Sequence, residues 1–176
     1  DYIYVISIAL KDLFEKKIPK QRKLGRIRIL NMLVEPDRFN STQNIERFVN
    51  SSKKRIVFVG ELYGDKDGVY GLVQAFINIG NEYPETDLII VGDNNNKEAL
   101  HGLHSLINNS PFKNRIIFTG KLNRTEIALQ IKYSYCLVLD RPNNIQAKYG
   151  FPTKLGEYLA SGKPVIITKV GDIPLY

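Results

Sequence analysis

The residues best suited to chemistry lie together in the stretch YGFPTKLGEYLASGKPV, Tyr149 to Val165. Pro152 suits a first helical position, where its missing N–H would be unpaired anyway, and Gly162 suits the left-handed residue that ends a helix. A helix from about Pro152 to Ser161 is therefore expected. At about 100° per residue, Leu155 and Leu159 share one side, expected to pack, while Thr153, Glu157 and Ser161 share another, with Lys154 at its edge. The start of this helix, preceded by Gly150, offers N–H groups and a partial positive charge to a phosphate.

The elements that must position these residues are legible as an alternation. Tyr2 to Ile8 reads as a strand, Ala9 to Lys16 as a helix and Ile27 to Val34 as a strand. From Glu35 to Lys54 the chain turns polar and Ser/Asn-rich, which marks a domain boundary. Beyond it, strands are expected at Arg55–Val59, Asp87–Val91, Arg115–Thr119, Tyr135–Leu139 and Pro164–Thr168. Helices are expected between them at Val69–Tyr83, Lys97–Ile107, Thr125–Tyr133 and the Pro152 segment. Short apolar runs alternating with helices predict an α/β fold, a Rossmann-like doubly wound parallel sheet covered on both faces. Such sheets bind ligands beyond the carboxyl ends of their strands, at the crevice where strand order reverses. In the common order that crevice lies between the first and fourth strands, flanked by the loops Gly60–Gly68 (GELYGDKDG) and Asp140–Phe151.

Composition sets the wider bounds. The chain has 176 residues, 43% of them hydrophobic, and a net charge of +7. No apolar run of about 18 residues and no cleavable leader is visible, so neither a membrane span nor a signal peptide is expected. A first residue Asp1 instead of methionine suggests a fragment. The single cysteine, Cys136, lies in an apolar run and is read as a buried small side chain, consistent with a reducing, cytoplasmic setting. Eight basic residues between Lys11 and Arg28 stand against only Asp12 and Glu15. That segment reads as a solvated helix end and loop, and it also fits peripheral contact with an anionic membrane surface or an acidic partner. No basic–aromatic interleaving accompanies it, so no nucleic acid is expected. His101 and His104 stand at metal spacing but lack a third ligand nearby, and are read as surface residues with no metal site. Four Asn-x-Ser/Thr triplets read as chance in an Asn-rich chain.

Five blocks together carry a resemblance: FVGELYGDKDGVYGLVQAF, DLIIVGD, RIIFTGKLNRTEI, YGFPTKLGEYLASGKPVI and TKVGDIP. In this order and spacing, Arg55 to Tyr176 resembles the C-terminal domain of family 4 (group 1) glycosyltransferases of the GT-B architecture. NMLVEPDRF, Asn31 to Phe39, resembles the family's interdomain segment. The resemblance implies transfer of a sugar from a nucleotide diphosphate sugar, with retention at the anomeric carbon; no His/Asp/Glu cluster with metal spacing appears in the sequence, so no metal or other cofactor is expected. It implies residues 1–40 as the end of an N-terminal acceptor domain plus interdomain segment, and 41–176 as an incomplete nucleotide-sugar-binding domain.

Residue by residue, Glu157 matches the second of the family's paired glutamates, which binds ribose hydroxyls; a charged acceptor suits a diol. Tyr149 stands eight residues earlier, where the family has a glutamate that contacts the donor sugar. Lys66 matches the lysine that stabilises the leaving diphosphate, a point charge beside developing negative charge. Glu61 replaces the arginine that usually partners it. Lys66 and Glu157 are thus the catalytic candidates. The wider nucleotide-sugar set comprises Gly60, Gly120, Lys121 and Leu122, the last three matching the loop that meets the base, together with Gly150, Phe151, Pro152, Thr153 and Lys154. The acceptor, a sugar or lipid-linked sugar, would bind mainly through the N-terminal domain, so the chain alone is expected to bind nucleotide without efficient turnover. The alternatives are a nucleotide-sugar epimerase of the same architecture and a non-catalytic module acting through residues 11–28.

Overall fold

Strands that are apolar on both sides can be stable only if two layers of helix cover them. The computed structural model describes residues 2–18, 26–40, 53–63, 67–93, 95–96, 98 and 100–176 and bears this out. Its elements are β1 (Ile3–Val5), α1 (Ile8–Lys17), β2 (Ile27–Ile29), a 3₁₀ turn (Pro36–Phe39), β3 (Lys54–Val59), α2 (Val69–Ile79), β4 (Thr86–Val91) and α3 (His101–Asn108). They continue as β5 (Ile116–Gly120), α4 (Arg124–Lys132), β6 (Cys136–Leu139), α5 (Ile145–Tyr149), α6 (Thr153–Ala160), β7 (Val165–Ile167) and a final 3₁₀ turn (Ile173–Leu175).

Five parallel strands form one sheet in the order β5-β4-β3-β6-β7, and β1 pairs with β2 in a small parallel sheet. The order reverses between β3 and β6, the predicted crevice. One face of the large sheet, carrying Phe58, Leu88, Ile90, Ile116 and Val138, packs under α2 and α3. The other, carrying Val57, Val59, Ile89, Val91, Leu137 and Leu139, packs under Ala128 and Ile131 of α4, Tyr158 of α6 and Phe39 of the first 3₁₀ turn. Cys136 is buried as expected, and burial pushes its thiol pKa up.

Several boundaries differ from the sequence expectation. The strand expected to reach Val34 stops at Ile29. Helix α2 stops at Ile79, with Gly80 as its C-cap packed so closely against Phe112 that a Cβ would come within 2.6 Å of the ring. Helix α3 starts at His101, not Lys97, and packs His104 against Phe118 at 5.3 Å between centroids, while His101 is exposed. The loop expected over Asp140–Phe151 contains the short helix α5, started by Asn144, whose side chain accepts from the Ala147 N–H at 2.9 Å.

The N-terminal elements are joined directly to the functional end of the large sheet. Ser7 caps α1 by accepting from the Leu10 N–H and also donates its hydroxyl to the Tyr149 carbonyl at 2.6 Å. Asp172 accepts from the Ile8 N–H at 2.6 Å. Of the basic segment, Lys11 approaches Glu15 at 3.9 Å and Arg28 lies 5.7 Å over the Tyr2 ring; Lys20, Arg22 and Lys23 lie outside the described residues. Among the described residues, no helix is long and apolar enough to cross a membrane.

Candidate functional site

The crevice between β3 and β6 is built on close backbone approaches that only glycine permits. A Cβ at Gly60 would lie 2.3 Å from the Phe58 ring and 2.9 Å from Asp67 Oδ2. At Gly68, with φ of +64°, a Cβ would lie 1.8 Å from the Asp140 carbonyl oxygen, so the loop after β3 touches the loop after β6. Gly68 also begins α2, and Asp140 Oδ2 stands 2.9 Å from the Cβ position of Gly71 in its first turn. Burial raises the Asp140 carboxyl pKa.

Three charged groups meet here. Asp67, 4% exposed, accepts the Glu61 N–H at 2.9 Å and faces Lys154 Nζ at 3.9 Å. Arg141, 5% exposed, is the second residue after β6, and burial lowers its pKa while its guanidinium feels the Asp67 carboxylate. Lys154 comes from the first turn of α6, whose N-cap is Pro152 and carries no side-chain cap. Pro152 is thus one position earlier than expected, outside the helix, with extended backbone.

Helix α6 turns its inner face toward the sheet through Leu155 and Tyr158, 3% and 0% exposed. Leu159, expected to pack with Leu155, is instead 48% exposed, because the buried stripe follows i, i+3 onto the tyrosine. The Tyr158 hydroxyl accepts the Val59 N–H at 2.9 Å, so the helix is bonded to the last residue of β3. Gly162 has φ of +69° and ends the helix as expected. Glu157 lies half-buried, and its Oε1 accepts from Arg38 Nη1 at 2.6 Å. Arg38 Nη2 also donates to the Arg124 carbonyl at 3.1 Å, at the start of α4.

That second bond ends two residues beyond the Gly120–Leu122 segment. Val91 pairs with Gly120 in a register that skips Thr119, an irregularity that leaves Gly120 at φ of +73° and aims the following loop. Asn123 and Glu126 then close a capping box on α4. Lys121 is exposed, whereas Leu122 packs against the core beneath α4.

The structure therefore brings Gly60, Gly150, Thr153, Lys154 and Glu157 to the carboxyl ends of β3 and β6, with Gly120–Leu122 at the end of β5. Thr153 is exposed. Phe151 and Pro152 are buried, Phe151 within a cluster containing Leu155 and Ile173, so any contact they make with a ligand is through the backbone. Tyr149 is half-buried, its carbonyl occupied by Ser7 and its ring beneath Lys148 Nζ at 5.7 Å. Lys66 lies outside the described residues, although Asp67 beside it is placed. Among the described residues, no three His, Cys, Asp or Glu side chains gather as metal ligands do.

Sequence reasoning missed Arg38, Asp67, Arg141 and Tyr158. Arg141 carried a readable signal, a cation two residues after a buried strand; Arg38 did not, because its partner is 119 residues away.

Comparison with known proteins agrees with this arrangement. The family model described as glycosyl transferases group 1 matches residues 53–175. Alr3699/HepE from Anabaena, solved in complex with UDP-glucose, superposes with a TM-score of 0.77 at 18% identity, over 99% of this chain and 46% of that one. A glycosyltransferase from Rickettsia africae gives 0.75 at 19% identity, over 97% and 45%. The C-terminal domain of a group 1 glycosyl transferase (LpcC) from Francisella tularensis gives 0.64 at 20%, over 81% and 73%. The chain thus spans less than half the length of the first two. No curated protein matches it in sequence. A family match over most of the chain, on a sheet whose switch point gathers the matched motifs, leads to one conclusion: the chain belongs to the group 1 glycosyl transferases.

Proposed function

We propose that the chain is the donor-binding part of a retaining glycosyltransferase, holding a nucleotide diphosphate sugar across the β3/β6 crevice. The observation that carries this reading is the convergence of Lys154, Asp67 and the α6 N-terminus on one side, with Glu157 one turn further along α6. On this reading the Glu157 carboxylate receives the ribose hydroxyls, its second oxygen remaining for the diol while Arg38 holds the first. The base lies toward Gly120–Leu122, met by backbone groups. The diphosphate lies at the start of α6, where unpaired N–H groups and the helix dipole favour an anion.

Transfer breaks the bond between the anomeric carbon and the diphosphate oxygen, and negative charge grows on the leaving group. Lys66 and Lys154 would oppose that charge as cations, without a metal. Tyr149 stands at the sugar end, with a hydroxyl in place of the family's carboxylate. Residues 1–40 end the acceptor domain and 41–176 form the donor domain. Because a transfer cleft needs both reactants in attack geometry, the 176-residue chain is expected to bind nucleotide with little turnover. The unpaired buried Cys136 agrees with a reducing, cytoplasmic setting, and the acceptor is a sugar or lipid-linked sugar.

The test is a thermal-shift and calorimetric panel of UDP, GDP and ADP and their sugars on wild type, Glu157→Ala and Lys66→Ala. One nucleotide should raise the Tm by mass action, worth about 2.7 kcal/mol at a concentration 100 times Kd. Equal responses from wild type and both variants would remove the assignment.

A further inference from the structure

Arg141 has no role in the reading above, yet its environment is unusual for an arginine. It is 5% exposed and its Nε has no hydrogen-bond partner. Its backbone is pinned on both sides by one hydroxyl: the Arg141 N–H donates to Thr168 Oγ1 at 2.9 Å, and Thr168 donates to the Arg141 carbonyl at 2.8 Å. The backbone is thereby held in place, and Nη2 lies 3.8 Å from the position a Cβ would take at Gly150. The guanidinium therefore lies beneath the first residues of the loop that leads into α6.

A buried cation is retained at such a place only with compensation. The carboxylate that Arg141 feels is that of Asp67, which already accepts the Glu61 N–H and faces Lys154. Asp67 thus serves both Lys154 and Arg141, and the Arg141 Nε–H is left unused. Arginine's planar fork matches the geometry of phosphate and carboxylate oxygens.

We propose that Arg141 is an anion-receiving residue of the donor site, its guanidinium binding an oxygen either of the donor's diphosphate or of a carboxylate carried by the donor sugar. This rests on the donor-site reading above. Because Gly150 adjoins Tyr149, where the family's sugar-contacting carboxylate is absent, a cation here changes the sign of charge offered at the sugar end.

The experiment is calorimetric titration of wild type, Arg141→Lys and Arg141→Gln with uridine, UDP, UDP-glucose and UDP-glucuronate, with folding checked by circular dichroism and thermal unfolding. Losing a charge-assisted bond should weaken the affected ligands about tenfold or more, with Lys recovering part of the loss and uridine unchanged. If the diphosphate is the source, UDP and both sugars weaken together. If the sugar carboxylate is the source, UDP-glucuronate alone weakens. Variants that bind every ligand as wild type does overturn the proposal, and so does an equal loss for uridine, which marks a purely structural role. Wild type that binds none of these, nor GDP and ADP and their sugars, overturns the donor-site reading and this proposal with it. Should both variants fail to fold, a crystal structure of wild type with UDP and with UDP-glucuronate decides: an anionic oxygen within hydrogen-bond reach of Arg141 supports the proposal, and none near it overturns the proposal.

Discussion

Arg38 donates to Glu157 at 2.6 Å and to the Arg124 carbonyl at 3.1 Å, so one guanidinium joins the first 3₁₀ turn to both α6 and the start of α4. The pair is largely shielded, with side-chain exposures of 12% and 26%. A carboxylate held by a planar fork keeps one rotamer and presents its second oxygen in a constant direction, which is the property a ribose-binding residue needs.

Arg38→Ala should therefore lower nucleotide affinity without touching the nucleotide. A charged hydrogen bond of this kind is worth about 1.5–3 kcal/mol, so a loss of about tenfold to a hundredfold is expected on titration. The double variant with Glu157→Ala should bind no worse than Glu157→Ala alone. Simple additivity in that cycle would mean that the two residues act independently.

Tyr158→Phe removes one oxygen and leaves the buried Val59 N–H without its acceptor. The expected cost is about 1–3 kcal/mol. For a chain of this length that is a drop in Tm of about 2–4 °C per kcal/mol, read by calorimetry. An unchanged Tm would show that water or a shifted carbonyl replaces the hydroxyl.

Gly68 and Gly162 both have positive φ but differ in surroundings. A Cβ at Gly162 meets nothing within 4 Å, whereas one at Gly68 would lie 1.8 Å from the Asp140 carbonyl oxygen. Gly162→Ala should cost only the left-handed strain of about 1–2 kcal/mol. Gly68→Ala should cost clearly more and should weaken nucleotide binding as well, since the β3 and β6 loops must separate. Equal Tm losses would contradict the close approach.

The pH dependence turns on Asp140, whose carboxyl is held above its ordinary range by burial. With the native pKa raised, the native state binds the proton more tightly than the unfolded chain. That contribution is complete below the ordinary carboxylate value and is lost as pH rises through the raised one. Wild type should thus lose stability relative to Asp140→Asn between acid and neutral pH. A Tm difference that stays constant over that range would exclude the mechanism.

The apolar runs of Lys54–Val59, Thr86–Val91 and Cys136–Leu139 specify their strands locally, because a strand buried on both faces needs uninterrupted apolar side chains. Alternation with helices then restricts topology to the doubly wound order, and the crevice with Gly60, Lys154 and Glu157 at its edge follows from chain connectivity. Short-range chemistry was less legible. Leu159 looked like a packing residue because periodicity cannot see that the stripe closes on Tyr158, and α5 was hidden in a polar loop whose single strong signal is the Asn144 cap.

The sequence alone determined the fold class, the place of the strand-order reversal and the motif that carries Glu157, since each depends on residue types at fixed spacing. Only the tertiary structure decided which charges meet. Arg38 with Glu157 and Asp67 with Lys154 are partners across 119 and 87 residues of chain, and no local pattern encodes them. They come together because parallel crossovers return every strand's carboxyl end to the same edge of the sheet.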